Sequence, residues 1–333
     1  MTVLGRLMDV PYRYSFADLT VLSDTILPDL APQSRDSFQA ADQEAPLAVT
    51  FSNRSSRFPP PDRWLARIGR RRRPWMCSGL TKQGYLLRFP GVADFLLDPD
   101  GRTVQGRPDG RTTKRHVAHV LLDHALPLAL SLRQKTVLHA SAVATEHGCC
   151  LFIGPSGSGK STLAASFLAD GADLLSDDCV MLTERFGTVW AIPTYTSLRL
   201  WSDSFRRLAL SRPAEPIRFG SSFKHSVLLA AGGSRRAYPV RRIYQLTPLP
   251  ERRRGQTGAF GVAIARLSPR EGLMQLLTSL RRVNIMDPAG LIQAMDDLGR
   301  IVELVPVKRL NVPRRYDRLD EVRQVVRRDL PQS

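Results

Sequence analysis

The 333-residue chain is predicted to be an α/β protein, with a smaller, mostly β domain over residues 1–110 and an α/β domain over residues 111–333. Three observations lead there. The apolar run Cys149-Cys150-Leu151-Phe152-Ile153 passes directly into a glycine-rich loop and then into a helix-periodic segment. Strand and helix patterns continue to the C-terminal end. Before about Val104, by contrast, the pattern is one of short alternating runs broken by turn residues.

In the first domain, Tyr85–Phe89 and Phe95–Asp98 read as strands, and Pro99-Asp100-Gly101 is a strong turn signal. Residues 28–73 are rich in Pro, Ser and charge, with little periodicity, and read as loops or partly disordered chain. Between 111 and 133, Val117, Val120, Leu121, Leu122, Ala125, Leu128, Ala129 and Leu132 recur at helical spacing, with Pro127 placed to kink or interrupt the helix. His116, His119 and His124 lie on this stretch. No acid or thiol on a matching face accompanies them, so they read as packed or solvated rather than as metal ligands.

Thr136–Val143 reads as one strand and Cys149–Ile153 as the next. A helix follows Lys160, with Gly171 as its stop. Ala172–Val180 and Thr188–Ile192 follow as strands around a Phe186-Gly187 turn, with Ser197–Leu200 and Ile243–Thr247 beyond them. Helices are expected over 268–282, 287–299 and Leu319–Val326.

Bulk properties narrow the function. Hydrophobic residues at 43% and charged residues at 24% are enough for a packed core. No apolar run approaches the roughly 18–20 residues that cross a bilayer, and there is no basic n-region followed by an apolar h-region. A cytoplasmic protein without membrane contact is expected. Cys77, Cys149, Cys150 and Cys179 form no CxxC pair and read as reduced, buried small hydrophobes; with no second cluster of ligands at suitable spacing, the sequence argues against a zinc site. The net charge of +17 invites a nucleic-acid partner, but the arginines are scattered and no aromatic-studded RNA signature, zinc finger or helix-turn-helix accompanies them. A solvated basic surface, open to an acidic peptide or protein, fits better.

The loop Gly154-Pro155-Ser156-Gly157-Ser158-Gly159-Lys160-Ser161 meets G-x-x-x-x-G-K-[ST] in full, between a strand and a helix. Its glycines allow successive N–H groups to point at phosphate oxygens at a helix N-terminus. Lys160 would reach the β- and γ-phosphates, and the Ser161 hydroxyl would join a Mg²⁺ shell. The candidate nucleotide-binding residues are therefore Gly154, Ser156, Gly157, Ser158, Gly159, Lys160, Ser161 and Thr162, with ATP and Mg²⁺ as cofactors. Asp177 and Asp178 end the strand that follows the loop helix and so reach the same rim. One carboxylate beside Mg²⁺ and another beside the γ-phosphate is the arrangement needed when a hydroxyl loses its proton in attack. His139, ending an apolar run upstream, returns beside the nucleotide if the segment from Val143 to Leu151 turns back as a hairpin.

Leu138–Val143, Phe152–Leu163 and Gly171–Asp178 together resemble the HPr kinase/phosphorylase superfamily. They are most similar to the HPr-kinase-related proteins of bacterial peptide-modification gene clusters, including kinases of lasso-peptide precursors. The resemblance is specific over about residues 120–200. It implies a P-loop kinase domain with a mixed sheet, akin to PEP carboxykinase, and serine phosphorylation with ATP and Mg²⁺. By position, Asp177 would be the general base, Asp178 with Ser161 would hold the metal, His139 would support the base and the phosphoryl group, and Lys160 would reach the transferred group. A homo-oligomer is also implied. The chain departs from the family in two respects: Thr196–Trp201 lacks the metal-binding glutamate expected there, and carries Arg199, and the C-terminal signature of HPr kinases is not recognisable, which argues against HPr as substrate and against the reverse phosphorylase activity. Lys224 is a further candidate phosphate contact. The expected activity is ATP-dependent phosphorylation of a serine of a peptide or protein, of the lasso-precursor type. The alternatives are a kinase of a small hydroxylated metabolite and a nucleotide-binding regulatory protein with little catalysis.

Overall fold

The computed structural model describes residues 11–33, 44–52, 57–70, 72–195, 197–208, 214–219, 222–228, 236–249, 261–281 and 288–331. The chain divides into two units, residues 1–135 with 281–288 and residues 136–280 with 289–333.

In the first unit the described strands are β1 (Tyr12–Phe16), β2 (Leu19–Ser23), β3 (Ala31–Pro32), β4 (Leu47–Phe51), β5 (Arg63–Arg70), β6 (Arg73–Thr81), β7 (Gly84–Phe89), β8 (Ala93–Leu97) and β9 (Thr103–Pro108). They form one sheet in the order β3-β1-β2-β4-β9-β8-β7-β6-β5. The expected turn after β8 is present: Asp98 Oδ1 accepts the N–H groups of Arg102 and Thr103 at 2.7 and 2.8 Å, and Gly101 has φ +64°. The loop assignment for residues 28–73 is corrected, since β3, β4 and β5 lie within it. β4 is ordered by parallel pairing with β2 and β9, partners distant in sequence, and it buries Leu47, Ala48 and Val49. The exposed arginines of β5 hide its pairing with β6, whose register shifts twice.

The predicted helix is α1 (Lys114–Val120), a π-helical turn over Leu121–Ala125, and α2 (Leu126–Leu132). The Leu126 N–H reaches the Leu121 carbonyl, an i→i−5 bond. This widened turn stands immediately before Pro127, where no N–H exists to continue the normal ladder. His119 has an acid partner after all: it is buried, with Nδ1 3.4 Å from Oδ2 of the buried Asp123. His124 packs its ring 5.4 Å from Trp75 and 5.2 Å from Phe89. The sequence boundary at 110 groups this helix with the second domain, whereas contacts group it with the first. Arg133, just after it, donates to the carbonyls of Ala45, Pro46 and Gly101.

In the second unit come β10 (Thr136–Leu138), β11 (Ala140–Thr145), β12 (Gly148–Ile153), α3 (Lys160–Ala169), β13 (Asp173–Ser176), β14 (Val180–Arg185), β15 (Thr188–Ile192) and β16 (Ser197–Trp201). After these follow α4 (Ser202–Arg207), β17 (Ala214–Phe219), β18 (Ser222–Leu228), β19 (Tyr238–Leu249), β20 (Ala263–Arg266), α5 (Pro269–Ser279), α6 (Pro288–Leu304), β21 (Val307–Pro313) and α7 (Leu319–Asp329). The central sheet is mixed. β12 runs parallel to β19, and β19 parallel to β21, while β11 is antiparallel to both β12 and β13. A smaller sheet has the order β16-β18-β17.

Period-two alternation divides β12 between two cores. Cys150 and Phe152 pack with Leu163 and Phe167 of α3 and Val322 and Val326 of α7. Cys149, Leu151 and Ile153 pack with Leu276 of α5 and Leu298 and Ile301 of α6. Burial on both faces explains the unbroken apolar run that marks this strand in the sequence. All four cysteines are buried and reduced. α3 stops as expected: Gly171 has φ +85°, its N–H donates to the Leu168 carbonyl, and the Ala172 N–H donates to that of Phe167.

Two expected strands are each divided. Thr136–Val143 breaks at His139, because β10 pairs with β14 whereas β11 pairs with β12 and β13. Ala172–Val180 breaks over 177–179, where the chain leaves β11 and begins β14. Among the described residues, no helix is long and apolar enough to cross a membrane.

Candidate functional site

Strand direction and register bring three segments to the same end of the strands β11, β12 and β13. Ala140, opening β11, is paired with Ile153, which closes β12. Ser176, closing β13, is paired with Ala142. His139, Gly154 and Asp177 are the next residues outward from these ends. The hairpin between Thr145 and Gly148 supplies the return that the His139 expectation required.

The glycine loop joins β12 to α3. Gly154, Gly157 and Gly159 have φ of +142°, +79° and +99°, a region that side-chain-bearing residues rarely occupy. The turn is closed by the Ser158 N–H on the Pro155 carbonyl, and α3 begins with the Leu163 N–H on the Gly159 carbonyl at 2.8 Å. Lys160 is 5% exposed, and its Nζ donates to the carbonyls of Gly154 and Pro155 at 2.9 and 3.2 Å. Ser158 Oγ is buried and has no hydrogen-bond partner. A buried donor beside a glycine nest at a helix N-terminus suits a phosphate oxygen.

The two aspartates occupy different environments. Asp177 is 1% exposed; Oδ1 accepts the Ser141 hydroxyl at 2.6 Å and Oδ2 accepts the Arg199 N–H at 3.1 Å. Burial, and then the neighbouring Asp178 charge, push its carboxyl up to about 6, against the lowering effect of those two hydrogen bonds. Asp178 adopts φ +64°, which aspartate tolerates better than most residues. Its Oδ1 lies 3.6 Å from His139 Nδ1, its carbonyl 3.2 Å from the same nitrogen, and its Oδ2 3.9 Å from Lys224 Nζ. The hydroxyls of Ser176 and Thr194 both donate to the Cys179 carbonyl at 2.6 Å and hold the turn that carries the pair.

A narrow cleft of about 50 Å³ opens between these groups. Of the residues singled out from sequence, Ser156, Gly157, Gly159, Lys160, Ser161, Thr162, His139 and Asp178 line it, together with Arg199. Asp177 lies behind this lining, tied to Ser141 and to the β16 backbone. Gly154 acts through its carbonyl, and Ser158 faces a neighbouring cavity. Mg²⁺ is usually held by one or two carboxylates, with waters and phosphate oxygens completing the shell. Asp178 and Ser161, both lining the cleft, offer one carboxylate and one hydroxyl of the kind that shell takes. Among the described residues, no group of three or more His, Cys, Asp or Glu could hold a metal.

Sequence reasoning missed Ser141. Its signal was a hydroxyl two residues from His139, on a strand face otherwise expected to be apolar. Trp201 and Tyr316, which wall the cavities beside the loop, had no signal beyond being isolated aromatics.

No protein-family profile matches the chain, and no curated protein matches it. Among solved structures it is similar to the Hpr(Ser) kinase/phosphatase from Coxiella burnetii, with 11% sequence identity and a TM-score of 0.31. The similarity covers 58% of this chain and 94% of that one.

Proposed function

We propose that the protein is an ATP-dependent kinase that phosphorylates a serine hydroxyl of a peptide or protein, with a lasso-precursor type of peptide as the leading substrate class. The observation that carries this is the adjacency of the phosphate loop and the aspartate pair, with Asp178 lining the same cleft as Lys160 and Ser161 and Asp177 next to it, bonded to Ser141. A phosphate cradle alone needs no such pair. A base titrating near the working pH is what removal of a hydroxyl proton requires.

In this reading the loop N–H groups, Ser158 and Lys160 bind and orient the triphosphate. Asp178 and Ser161 would hold Mg²⁺, which would supply positive charge to the bound triphosphate. Asp177 takes the serine proton as the serine oxygen forms its bond to phosphorus and the diphosphate oxygen leaves. His139 holds Asp178 in place. The net charge of +17 supports an acidic peptide as the acceptor.

One observation favours a second reading, a nucleotide-binding regulatory protein with little catalysis. Both Asp177 oxygens are already hydrogen-bonded, and the residue is 1% exposed. The test is incubation with labelled ATP, Mg²⁺ and a peptide ending in serine. The kinase reading expects label in the peptide with wild type and almost none with Asp177→Asn. Nucleotide binding with equal, negligible transfer by both supports the regulatory reading.

A further inference from the structure

A second cavity, of about 260 Å³, adjoins the phosphate cleft. The two share Gly157, Gly159, Thr162 and Trp201, so the glycine loop stands between them. Their chemistry differs. The cleft presents Lys160, Asp178, Arg199 and His139. The cavity presents Leu163, Trp201, Val312, Pro313 and the ring of Tyr316.

The polar side chains of the cavity are largely committed to one another. The Tyr316 hydroxyl donates to Asp203 Oδ2 at 2.7 Å and lies 3.0 Å from Ser204 Oγ, which is 3.0 Å from Thr162 Oγ1. Arg315 pairs with Asp317 at 2.5 Å. The Arg207 guanidinium sits over the Tyr316 ring, 5.3 Å from its centroid. Among the described lining residues, the side-chain donors outside this network are Ser158, Arg314 and the Trp201 indole. Ser158 belongs to the phosphate loop, and Arg314 and Trp201 are exposed.

A nucleoside triphosphate has the same polarity as this pair of spaces, charged at one end and a flat ring at the other. Lys160 and Ser161 line the cleft, whereas Leu163, one turn of α3 onward, lines the cavity. A triphosphate lying on the loop with its terminal phosphate toward Asp178 therefore directs its nucleoside to the cavity. We propose that the cavity holds the nucleoside and grips its base by apolar and ring contact rather than by hydrogen bonds to its edge, so that adenine and guanine nucleotides bind nearly alike. Strong discrimination between them needs unpaired donors and acceptors aimed at the base edge. Contact with an aromatic wall is tolerant of base identity. The inference rests on the kinase reading above and adds the site and selectivity of its nucleotide.

The test is calorimetric titration of the full chain, in Mg²⁺, with ADP, GDP and inorganic tripolyphosphate, using wild type, Tyr316→Ala and Tyr316→Phe. Wild type is expected to bind ADP and GDP within about threefold of each other. Tyr316→Ala should weaken both by about tenfold and leave tripolyphosphate unchanged, while Tyr316→Phe stays within about twofold of wild type. A preference between the two nucleotides above about thirtyfold overturns the inference, being the selectivity of edge hydrogen bonds rather than ring contact. So does unchanged ADP binding in Tyr316→Ala, or equal loss of all three ligands, which assigns the residue to the fold. Tripolyphosphate bound by wild type as tightly as ADP keeps the kinase reading and removes the nucleoside cavity. Failure of wild type to bind any of the three removes both.

Discussion

Replacing Asp177 with asparagine separates the cost of the buried carboxylate from its use. The side chain keeps its shape and can still accept the Arg199 N–H, while its amide donates to Ser141 Oγ. What it loses is the charge. In the folded protein the carboxyl is raised from its ordinary value of 3.8 to about 6, chiefly by burial and next by Asp178. The native state therefore holds this proton more tightly than the unfolded chain does. The stability this contributes is complete below the unfolded value and is lost as pH rises through about 6. Relative to a side chain that never ionises, the wild-type residue costs about 3 kcal/mol at pH 8 and only about 0.5 kcal/mol near pH 4. Urea unfolding of both proteins across this range should show Asp177→Asn more stable at pH 8, with the gap closing as pH falls. The same variant should lose about 10²–10⁴-fold in phosphoryl transfer. A variant less stable than wild type at pH 8, or a gap independent of pH, would refute the reasoning, because the carboxylate would then not be held against its own desolvation.

Three other outcomes follow from the same geometry. Ser141→Ala removes a hydrogen bond that lowers the Asp177 carboxyl, so the acid limb of a transfer-rate profile should move to higher pH. Gly159→Ala meets no atom within 4 Å at its Cβ but must hold φ +99°; unfolding should report a loss of about 1–3 kcal/mol, and titration should show weakened nucleotide binding. The four buried cysteines should resist a thiol reagent in the native protein and react together on unfolding, which absorbance follows directly.

How much of this was legible beforehand depended on whether the cause was local. The loop, its strand and α3 are local features: the glycines answer positive φ, the apolar run answers two buried faces, and Gly171 answers the helix stop. The closeness of Asp177 and Asp178 to the loop followed from one short helix and a strand. The breaks at His139 and over 177–179 did not, because they arise where a strand changes neighbours in the sheet. β4 was hidden for the same reason, its order coming from β2 and β9. The different surroundings of two adjacent aspartates, both buried, were also illegible. They depend on Ser141 and Arg199 arriving from β11 and β16 to enclose one carboxylate while His139 and Lys224 face the other. His119 shows the opposite case: its partner Asp123 stood four residues away at helical spacing, and was overlooked rather than hidden.

The central claim is that Asp177 serves as a base beside a phosphate loop, and the pH dependence of kcat/KM for a serine peptide tests it most directly, since that ratio reports the groups that titrate before the peptide binds. With ATP and Mg²⁺ saturating, the account predicts a rate that climbs about tenfold per pH unit below a single inflection and levels above it, with transfer in Asp177→Asn reduced about 10²–10⁴-fold. A profile flat from pH 5 to 8, with Asp177→Asn as active as wild type, would contradict it.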